Sequence, residues 1–335
     1  MTPQTQPQLP PAQQVLQMTF AYSLSRCVYV AAKLGIADLL AGGRKTAHEL
    51  AAATETNADA LYRVLRALAS NGVFIETEPC VFGLTPLAET LRDDAPESIR
   101  AVVLFWGDHL HDSVYAELEY SVRTGKRAFD HVFGLPPFEY LKDHPEDSTV
   151  FNRAMSSFSS AQIPVIVEAY DFGRFGSVAD IGGGLGHLLR GILDHNPGLK
   201  GILFDLPETV SHAKDLPADR CSIVSGSFFE SVPAADAYIL KHIIHDWDDE
   251  STRRILENCR RSISPNGRLL TIEMILPPMN EPGFAKLLDI EMLLLPGGRE
   301  RTVDEFRALY AASGFELTKV VPTRSAVAII EGKPI

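Results

Sequence analysis

The residues most able to do chemistry lie in two segments of the second half of the sequence. One is "VADIGGGLGHLL", Val178 to Leu189, in which four glycines fall within five positions after Asp180. The other is "LKHIIHDWDDE", which contains His245. A glycine-rich turn lets the backbone approach a ligand closely, and an imidazole can take a proton from a reacting group. The two segments predict a ligand-binding turn and an acid–base residue.

Two ligands are candidates for the glycine turn. The dinucleotide pattern G-x-G-x-x-G fits Gly182 and Gly184 but meets His187 at its third glycine. The pattern D-x-G-x-G-x-G is complete over Asp180–Gly186. A carboxylate there would repel a pyrophosphate, whereas S-adenosylmethionine carries a sulfonium and an ammonium and no phosphate. Asp205 ends the next strand and can accept both ribose hydroxyls, so the pair of acids predicts S-adenosylmethionine.

Methyl transfer from a sulfonium to an oxygen requires the acceptor hydroxyl to lose its proton. A phenol with a pKa of about 10 keeps that proton at neutral pH, whereas an imidazole with a pKa of about 6.5 is mostly free base. We therefore predict His245 as the general base. Glu273, in an apolar strand where an unpaired carboxylate is costly, and Glu300 are candidates to orient it. Glu300 has the alternative of a solvated loop acid. Asp246 is expected to cap the next helix together with Asp248 and Asp249. His242 is expected to be structural, on the opposite face of the strand end.

The elements that position these residues alternate between strand and helix beyond residue 177. The last two segments, "FELTKVVPT" and "SAVAIIEGK", are joined by a short link and should pair antiparallel. This order predicts an α/β fold with a doubly wound, mostly parallel sheet. The other predicted strands are 177–181, 201–205, 222–225, 236–243 and 268–275.

The first hundred residues have a different pattern, that of a winged helix. Thr46 and Glu49 form a capping box, a second helix runs from Asn57 to Asn71, and "VFIETEPCVFGLTPLA" alternates around a turn. Such a unit binds DNA or serves packing and dimerisation. The second helix, "ADALYRVLRALAS", offers little polar surface for base edges, which favours dimerisation.

Composition excludes several classes of protein. The 335 residues suggest two domains, and the formal net charge of −12 argues against nucleic-acid binding. Four cysteines without a CxxC pair indicate free thiols in a reducing compartment and no structural zinc site. We expect no signal peptide and no transmembrane helix, and hence a cytoplasmic protein.

The chain resembles the class I O-methyltransferases of the caffeate and hydroxyindole type, including bacterial secondary-metabolite members. The resemblance rests on seven motifs in order: "FNRAMSSFS", "VADIGGGLG", "LFDLPETV", "GSFFESVP", "LKHIIHDWDDE", "LLTIEMILP" and "PGGRERTVDEF". It implies a Rossmann-like catalytic domain behind a winged-helix dimerisation domain. The expected boundaries are a disordered tail over 1–11, the dimerisation domain over 12–100, a helical linker and acceptor-pocket region over 101–165, and the catalytic domain over 166–335.

The resemblance also implies roles for individual residues. Glu273 and Glu300 should flank His245 and fix its tautomer. Ser227 stands where the family usually has an aspartate that contacts the adenine amine, and its hydroxyl can still accept that hydrogen bond without charge. The cofactor-binding set is Asp180, Gly182, Gly184, Asp205, Leu206, Ser227, Phe228, Lys241, Ser159 and Trp247. The acceptor-pocket candidates are Met155, Phe158, Trp106 and Met292, for each of which ordinary core packing is an alternative.

These observations predict an S-adenosylmethionine-dependent O-methyltransferase that needs no metal and releases S-adenosylhomocysteine. Its acceptor should be a small aromatic secondary metabolite with a phenolic hydroxyl. The exposed apolar positions of the N-terminal helices predict a homodimer, with no nucleic-acid or membrane partner. The alternatives are a non-methylating relative of the same fold, such as a hydroxylase or decarboxylase, and a winged-helix regulator. An intact His245 argues against the first alternative.

Overall fold

The computed structural model describes residues 9–335, so the predicted tail over residues 1–8 lies outside the described residues. Helix α1 begins at Pro11, one residue inside the predicted tail. The chain divides into two compact units. One contains the described residues up to Asp112 together with Glu146–Ser157, and the other contains Ser113–Pro145 and Phe158–Ile335. Among residues 9–335, no helix combines the length and the apolar composition needed to span a bilayer.

The first unit contains the helix pair and hairpin expected of a winged helix. The Thr46 hydroxyl accepts the backbone N–H of Glu49, whose side chain returns to Thr46, so the predicted capping box is present. Leu50, Leu65 and Phe82 are fully buried in its core. The helices are α1 Pro11–Lys33, α2 Ile36–Leu40, α3 Ala47–Ala53, α4 Ala58–Ser70, α5 Pro86–Glu89 and α6 Arg100–Trp106. The strands β1 Lys45–Thr46, β2 Phe74–Glu78 and β3 Val81–Leu84 form a sheet in the order β1-β3-β2.

The segment between the winged helix and the large sheet is helical, as expected for a linker. The two units share it, since residues 113–145 belong to the second unit and 146–157 to the first. The helices are α7 His109–Ala116, α8 Leu118–Thr124, α9 Ala128–Phe133, α10 Pro137–Asp143, α11 Pro145–Ser160 and α12 Ile163–Ala169.

The second unit is built on a seven-stranded sheet in the order β6-β5-β4-β7-β8-β10-β9. The pairs from β6 to β8 are parallel and those made by β10 are antiparallel. The strands are β4 Ser177–Ile181, β5 Lys200–Asp205, β6 Cys221–Ser225, β7 Ala235–Lys241, β8 Ile263–Met274, β9 Phe315–Pro322 and β10 Val327–Pro334. The helices are α13 His187–His195, α14 Pro207–Val210, α15 Asp249–Ser262, α16 Phe284–Leu294 and α17 Val303–Ala312, with short 3-10 turns at Phe172–Arg174 and Ile244–Asp246.

This topology confirms the predicted α/β fold and its antiparallel final pair. The start of β8 differs from the prediction by five residues, and the other strand boundaries agree with it within two residues. Strand β8 begins at Ile263 rather than at residue 268, and β7 ends at Lys241 rather than at residue 243. The second difference has a local cause, because His242 adopts a left-handed backbone with φ of 52° and cannot continue the strand.

Candidate active site

Four charged side chains lie at the carboxyl edge of the parallel strands. Asp180 is near the end of β4, Asp205 ends β5, Lys241 ends β7 and Glu273 is next to the end of β8. Strands β5, β4, β7 and β8 are consecutive neighbours in the sheet. Because ligands of open α/β sheets bind at this edge, the fold places all four beside the expected crevice.

The glycine turn that follows β4 is held against the end of β5. Gly182 and Gly184 have positive φ angles of 69° and 60°. The backbone N–H of Gly184 donates to Asp205 Oδ2 at 2.8 Å, and the N–H of Leu206 donates to Asp205 Oδ1 at 2.7 Å. The turn and Asp205 therefore form one hydrogen-bonded unit, and a ribose can still bind the remaining lone pairs of this carboxylate.

Asp180 presents an unsatisfied acid to this edge. Its side chain is buried and Oδ2 has no hydrogen-bond partner. Burial raises the pKa of Asp180 to about 7, although the ammonium of Lys241 opposes the shift. Burial lowers the pKa of Lys241 to about 8, and its Nζ donates to Ser159 Oγ at 2.8 Å. An orphaned carboxylate oxygen beside the glycine turn fits the ammonium of S-adenosylmethionine.

An aromatic cluster surrounds the segment after β6. Trp247 packs edge-on against Phe228 and Phe229, with centroid distances of 6.1 and 4.7 Å. Ser227 precedes this pair, and its Oγ accepts the N–H of Phe229 at 3.3 Å. The structure thus brings together Ser227, Phe228 and Trp247, three residues of the predicted cofactor-binding set.

His245 is buried in a 3-10 turn after β7 and is surrounded by carboxylates. Its Nδ1 lies 2.8 Å from Glu300 Oε1 and 3.7 Å from Glu273 Oε2, and its Nε2 lies 3.5 Å from Asp246 Oδ1. Glu300 is 1% exposed, so it is not the solvated loop acid given as its alternative. The short contact makes Nδ1 the donor to Glu300 and leaves Nε2 as the nitrogen that can exchange a proton with an acceptor.

The pKa of His245 differs from the value of about 6.5 assumed for a free imidazole. Burial by itself would lower it, but the negative charges of Glu273, Asp246 and Glu300 outweigh burial and raise the pKa to about 10. The ring is therefore a stronger base than expected, and it holds a proton at neutral pH when no acceptor is bound.

Glu273 supports the backbone around His245 as well as its ring. Oε1 accepts the N–H groups of Ile243 and Ile244, both at 3.1 Å. Burial raises the pKa of this carboxyl to about 7, against the lowering effect of His245. Its Oε2 has no hydrogen-bond partner and faces the two histidines.

Two sequence-based interpretations near His245 are wrong. His242 does not lie on the opposite face, because its left-handed backbone turns the ring to 5.1 Å from that of His245. Of the three acids expected to cap the next helix, Asp246 does not do so. Asp248 does so by accepting the Ser251 N–H at 2.7 Å, which leaves Asp246 beside the imidazole.

The residues that hold this cluster in place were not found from the sequence. Asp289 accepts the backbone N–H of Glu300 at 2.7 Å. The buried Arg301 donates to the carbonyls of Ile244 and Trp247 at 2.9 and 3.0 Å. Gly298 packs on the same turn, since a Cβ there would lie 1.9 Å from the His245 carbonyl oxygen. The motif "GGRER" contains both Gly298 and Arg301, and it is the sequence feature from which these two residues could have been identified.

The acceptor-pocket candidates fall in both units. Met155 on α11 and Trp106 at the end of α6 belong to the first unit. Phe158 and Met292 belong to the second, where the Phe158 ring lies 5.6 Å from that of His242 and Met292 is buried on α16. Phe158 is thus next to the histidine cluster.

The site and fold are those of an S-adenosylmethionine-dependent O-methyltransferase, and the chain belongs to that family. Residues 115–316 match the O-methyltransferase domain, and residues 16–94 match the O-methyltransferase dimerisation domain. The predicted cofactor, enzyme class and family are confirmed.

Its similarity to individual family members extends over almost the whole chain. The phenazine O-methyltransferase PhzM of Lysobacter antibioticus is 47% identical over 327 residues, which cover 96% of this chain and 96% of that protein. The crystal structure of LaPhzM, 46% identical, has a TM-score of 0.90 and covers 98% of this chain and 100% of that one. NcsB1 from neocarzinostatin biosynthesis, solved with S-adenosylmethionine and 2-hydroxy-5-methyl naphthoic acid, has a TM-score of 0.77 at 35% identity, with coverages of 93% and 96%.

Proposed function

We propose that this enzyme methylates a phenolic hydroxyl of a planar, fused-ring aromatic metabolite, with His245 as the residue that takes the hydroxyl proton. The observation that carries the proposal is the contact between His245 Nδ1 and Glu300 at 2.8 Å. It fixes the ring so that Nε2 is the nitrogen available to an acceptor. The relatives named for a phenazine and the neighbour solved with a naphthoic acid support the ring class of the acceptor.

While the methyl group is transferred, the enzyme holds the proton that the acceptor hydroxyl has lost. S-adenosylmethionine, when bound, supplies an electrophilic methyl group. The neutral ring, formed when the imidazolium has released its Nε2 proton to solvent, is the form that takes the proton of the phenol. A phenol and His245 both have pKa values near 10, so this transfer costs little free energy. The surrounding carboxylates of Glu273, Glu300 and Asp246 favour the proton on the ring, so the acceptor oxygen is prepared as a phenolate.

The residues at the strand ends bind and orient the cofactor. We assign the unpartnered Asp180 Oδ2 to its ammonium, Asp205 to its ribose, and Ser227, Phe228 and Trp247 to its adenine. Gly182, Gly184, Leu206, Lys241 and Ser159 complete this assignment. An aligned cofactor and acceptor contribute much of the rate enhancement, because an in-line displacement depends on orientation.

We assign Phe158 and Met292, which both belong to the second unit, to the acceptor pocket. Apolar and aromatic side chains suit a flat aromatic ring, and Phe158 is placed beside His242. Replacing Phe158 by alanine should raise KM for the acceptor while leaving S-adenosylhomocysteine affinity unchanged.

We also propose that the enzyme works as a homodimer through α1. Five large apolar side chains of this helix are more than half exposed, and the family match assigns a dimerisation domain to residues 16–94. A face of this kind is typical of a surface covered by a second copy. The residues are Val15, Leu16, Met18, Phe20 and Tyr22. Light scattering should find a dimer, and the double substitution Met18→Glu and Phe20→Glu should give a monomer.

An acceptor screen with isotopically labelled S-adenosylmethionine tests the proposal. Hydroxyphenazines, hydroxynaphthoates, catechols and hydroxyindoles are incubated with the enzyme, and methylated products are identified by mass spectrometry. We expect turnover of fused-ring phenols and none of analogues in which the hydroxyl is replaced by hydrogen. Conversion of an acceptor by hydroxylation or loss of carbon dioxide, with no methyl transfer, would favour the non-methylating alternative.

A further inference from the structure

The two histidines of "KHIIH" share one carboxylate. Glu273 Oε2 lies 3.5 Å from His242 Nδ1 and 3.7 Å from His245 Nδ1. One donor atom from each of the three residues lies within 4.8 Å of the other two. We propose that His242, His245 and Glu273 bind a divalent transition-metal ion of the zinc class, which inhibits the enzyme and takes no part in its reaction.

Two of the three donor atoms are unsatisfied. His242 Nδ1 and Glu273 Oε2 are buried without a hydrogen-bond partner, and the Glu273 side chain is 0% exposed. Buried polar atoms usually have partners, because desolvation without compensation is costly. A cation between these atoms would satisfy both.

The tautomer of His242 is set by Gln162. His242 Nε2 lies 3.2 Å from the amide oxygen of Gln162, which can only accept a hydrogen bond. Nε2 therefore carries the ring proton, and Nδ1 presents its lone pair to Glu273. Histidines that bind metals commonly donate their second ring N–H to an oxygen acceptor in this way.

The distances suit a tetrahedral ion. Zinc bonds to nitrogen and oxygen are about 2.0–2.2 Å, so two donors of one tetrahedral site lie about 3.3–3.6 Å apart. The separations from Glu273 Oε2 to the two imidazoles, 3.5 and 3.7 Å, are close to this range. Two imidazoles favour zinc, cobalt or copper over magnesium and calcium, which prefer oxygen ligands.

Inhibition follows from the chemistry of the ring and rests on the proposed role of His245. The ion would displace the proton that His245 Nδ1 donates to Glu300, and this proton would be released to solvent. The remaining ring proton then lies on Nε2, so the ring can no longer take a proton from an acceptor. Asp180 and Asp205 are not part of the metal site. Zinc should therefore stop turnover without weakening S-adenosylhomocysteine binding.

Metal binding can be measured without an activity assay. The full-length enzyme is treated with a chelator and titrated with cobalt(II), which absorbs visible light strongly in tetrahedral sites, and zinc affinity is measured by calorimetry. We expect a tetrahedral cobalt spectrum, and zinc affinity lower in His242→Gln by at least the roughly 10–100-fold that losing a residue behind a ligand costs. The exposed His48→Gln is the matched control and should bind zinc as the wild type does. X-ray absorption at the zinc edge of the wild type should show two imidazole ligands.

The outcomes separate this proposal from the proposed function. A wild-type protein with no tetrahedral cobalt spectrum, or a His242→Gln variant that binds zinc with wild-type affinity, would overturn the metal site. Either outcome would mean that a proton shared by Glu273 and His242, and not a metal ion, satisfies their two buried atoms. Zinc bound at the two histidines with turnover unchanged would instead support the site and refute His245 as the base.

Discussion

The Nδ1 atom of His245 lies 2.8 Å from Oε1 of Glu300, and the two side chains are buried together. Glu300 is itself fixed, because Asp289 accepts its backbone N–H at 2.7 Å. The ring therefore has one orientation, with Nε2 left for the acceptor. This hydrogen-bonded pair determines which nitrogen of His245 exchanges a proton with the acceptor, and most of the predictions below depend on it.

Replacing His245 by alanine tests the base directly. Turnover at neutral pH should fall by roughly 10²–10⁴-fold, while S-adenosylhomocysteine affinity stays nearly unchanged because the ring is assigned to the acceptor. The loss should shrink as the pH approaches the pKa of the acceptor, since the phenolate then forms without help. The exposed His212→Ala serves as the control. Wild-type turnover of His245→Ala at neutral pH would refute the assignment.

The pH dependence of turnover should shift in Glu300→Gln. The free enzyme holds a proton on His245 up to a pH of about 10, so wild-type kcat/KM should rise with pH between about 7 and 9. Removing the charge of Glu300 removes one of the causes that raise the pKa of His245, so the rise should move to lower pH. Steady-state kinetics across this range measure the shift, with the exposed Glu250→Gln as control. An unmoved profile would show that Glu300 does not act on the ring electrostatically.

The stability of the fold should depend on the same proton. The pKa of His245 is raised to about 10 in the folded chain, against about 6.5 in the unfolded chain. The contribution of His245 to the free energy of unfolding is therefore complete below pH 6.5, and it is lost as the pH rises through about 10. His245→Gln should have a lower free energy of unfolding near pH 6, and a smaller decline toward pH 10, than the wild type. Urea unfolding measures both, and parallel declines in the two proteins would contradict the raised pKa.

Gly298 should not accept a side chain. A Cβ there would lie 1.9 Å from the His245 carbonyl oxygen, so Gly298→Ala must displace the turn that carries the base. Overpacking of this kind costs about 1–3 kcal/mol, and turnover should fall with it. Gly198→Ala is the control, because nothing lies within 4 Å of a Cβ at that exposed position. The thermal unfolding temperature and kcat are measured for both variants. Equal values in Gly298→Ala and Gly198→Ala would contradict the prediction that Gly298 cannot accept a side chain.

Asp205 should be required for cofactor affinity. Asp205→Asn weakens both the assigned ribose contact and the bond from Gly184, so S-adenosylhomocysteine binding should weaken by about 1.5–3 kcal/mol. Calorimetry measures the change, with the exposed Glu208→Gln as control. NAD should show no binding. An Asp205→Asn variant with wild-type affinity would remove Asp205 from the cofactor site.

The parts of the fold that were predictable have strong local patterns. Thr46 and Glu49 stand at the spacing of a capping box, and the glycine turn after Asp180 marks the end of a strand. Ends of parallel strands meet at one edge, so the proximity of Asp180 and Asp205 follows from the order of elements. None of these inferences needed a contact distant in sequence other than strand pairing.

The errors came from backbone geometry and from distant contacts. Alternation along a strand placed His242 on the face opposite His245, but a left-handed residue at His242 ends that alternation. The pKa of His245 depends on Glu273 and Glu300, which lie on other elements, as well as on the neighbouring Asp246, so the segment "HDWDD" contains only one of its causes. Asp289 likewise acts through the backbone of Glu300, a contact that leaves no pattern in the sequence.

The positions of the turn that follows Asp180 should also differ in how often they change among related sequences. In the pattern D-x-G-x-G-x-G, Gly183 occupies a position open to any residue. Yet a Cβ on Gly183 would lie 2.6 Å from Leu203 and 2.7 Å from the carboxyl carbon of Asp180. Gly184, which the pattern requires, has open space around its Cβ and only a left-handed φ, which asparagine tolerates. Over evolutionary time, the position that the motif treats as variable should therefore change less than one that it specifies.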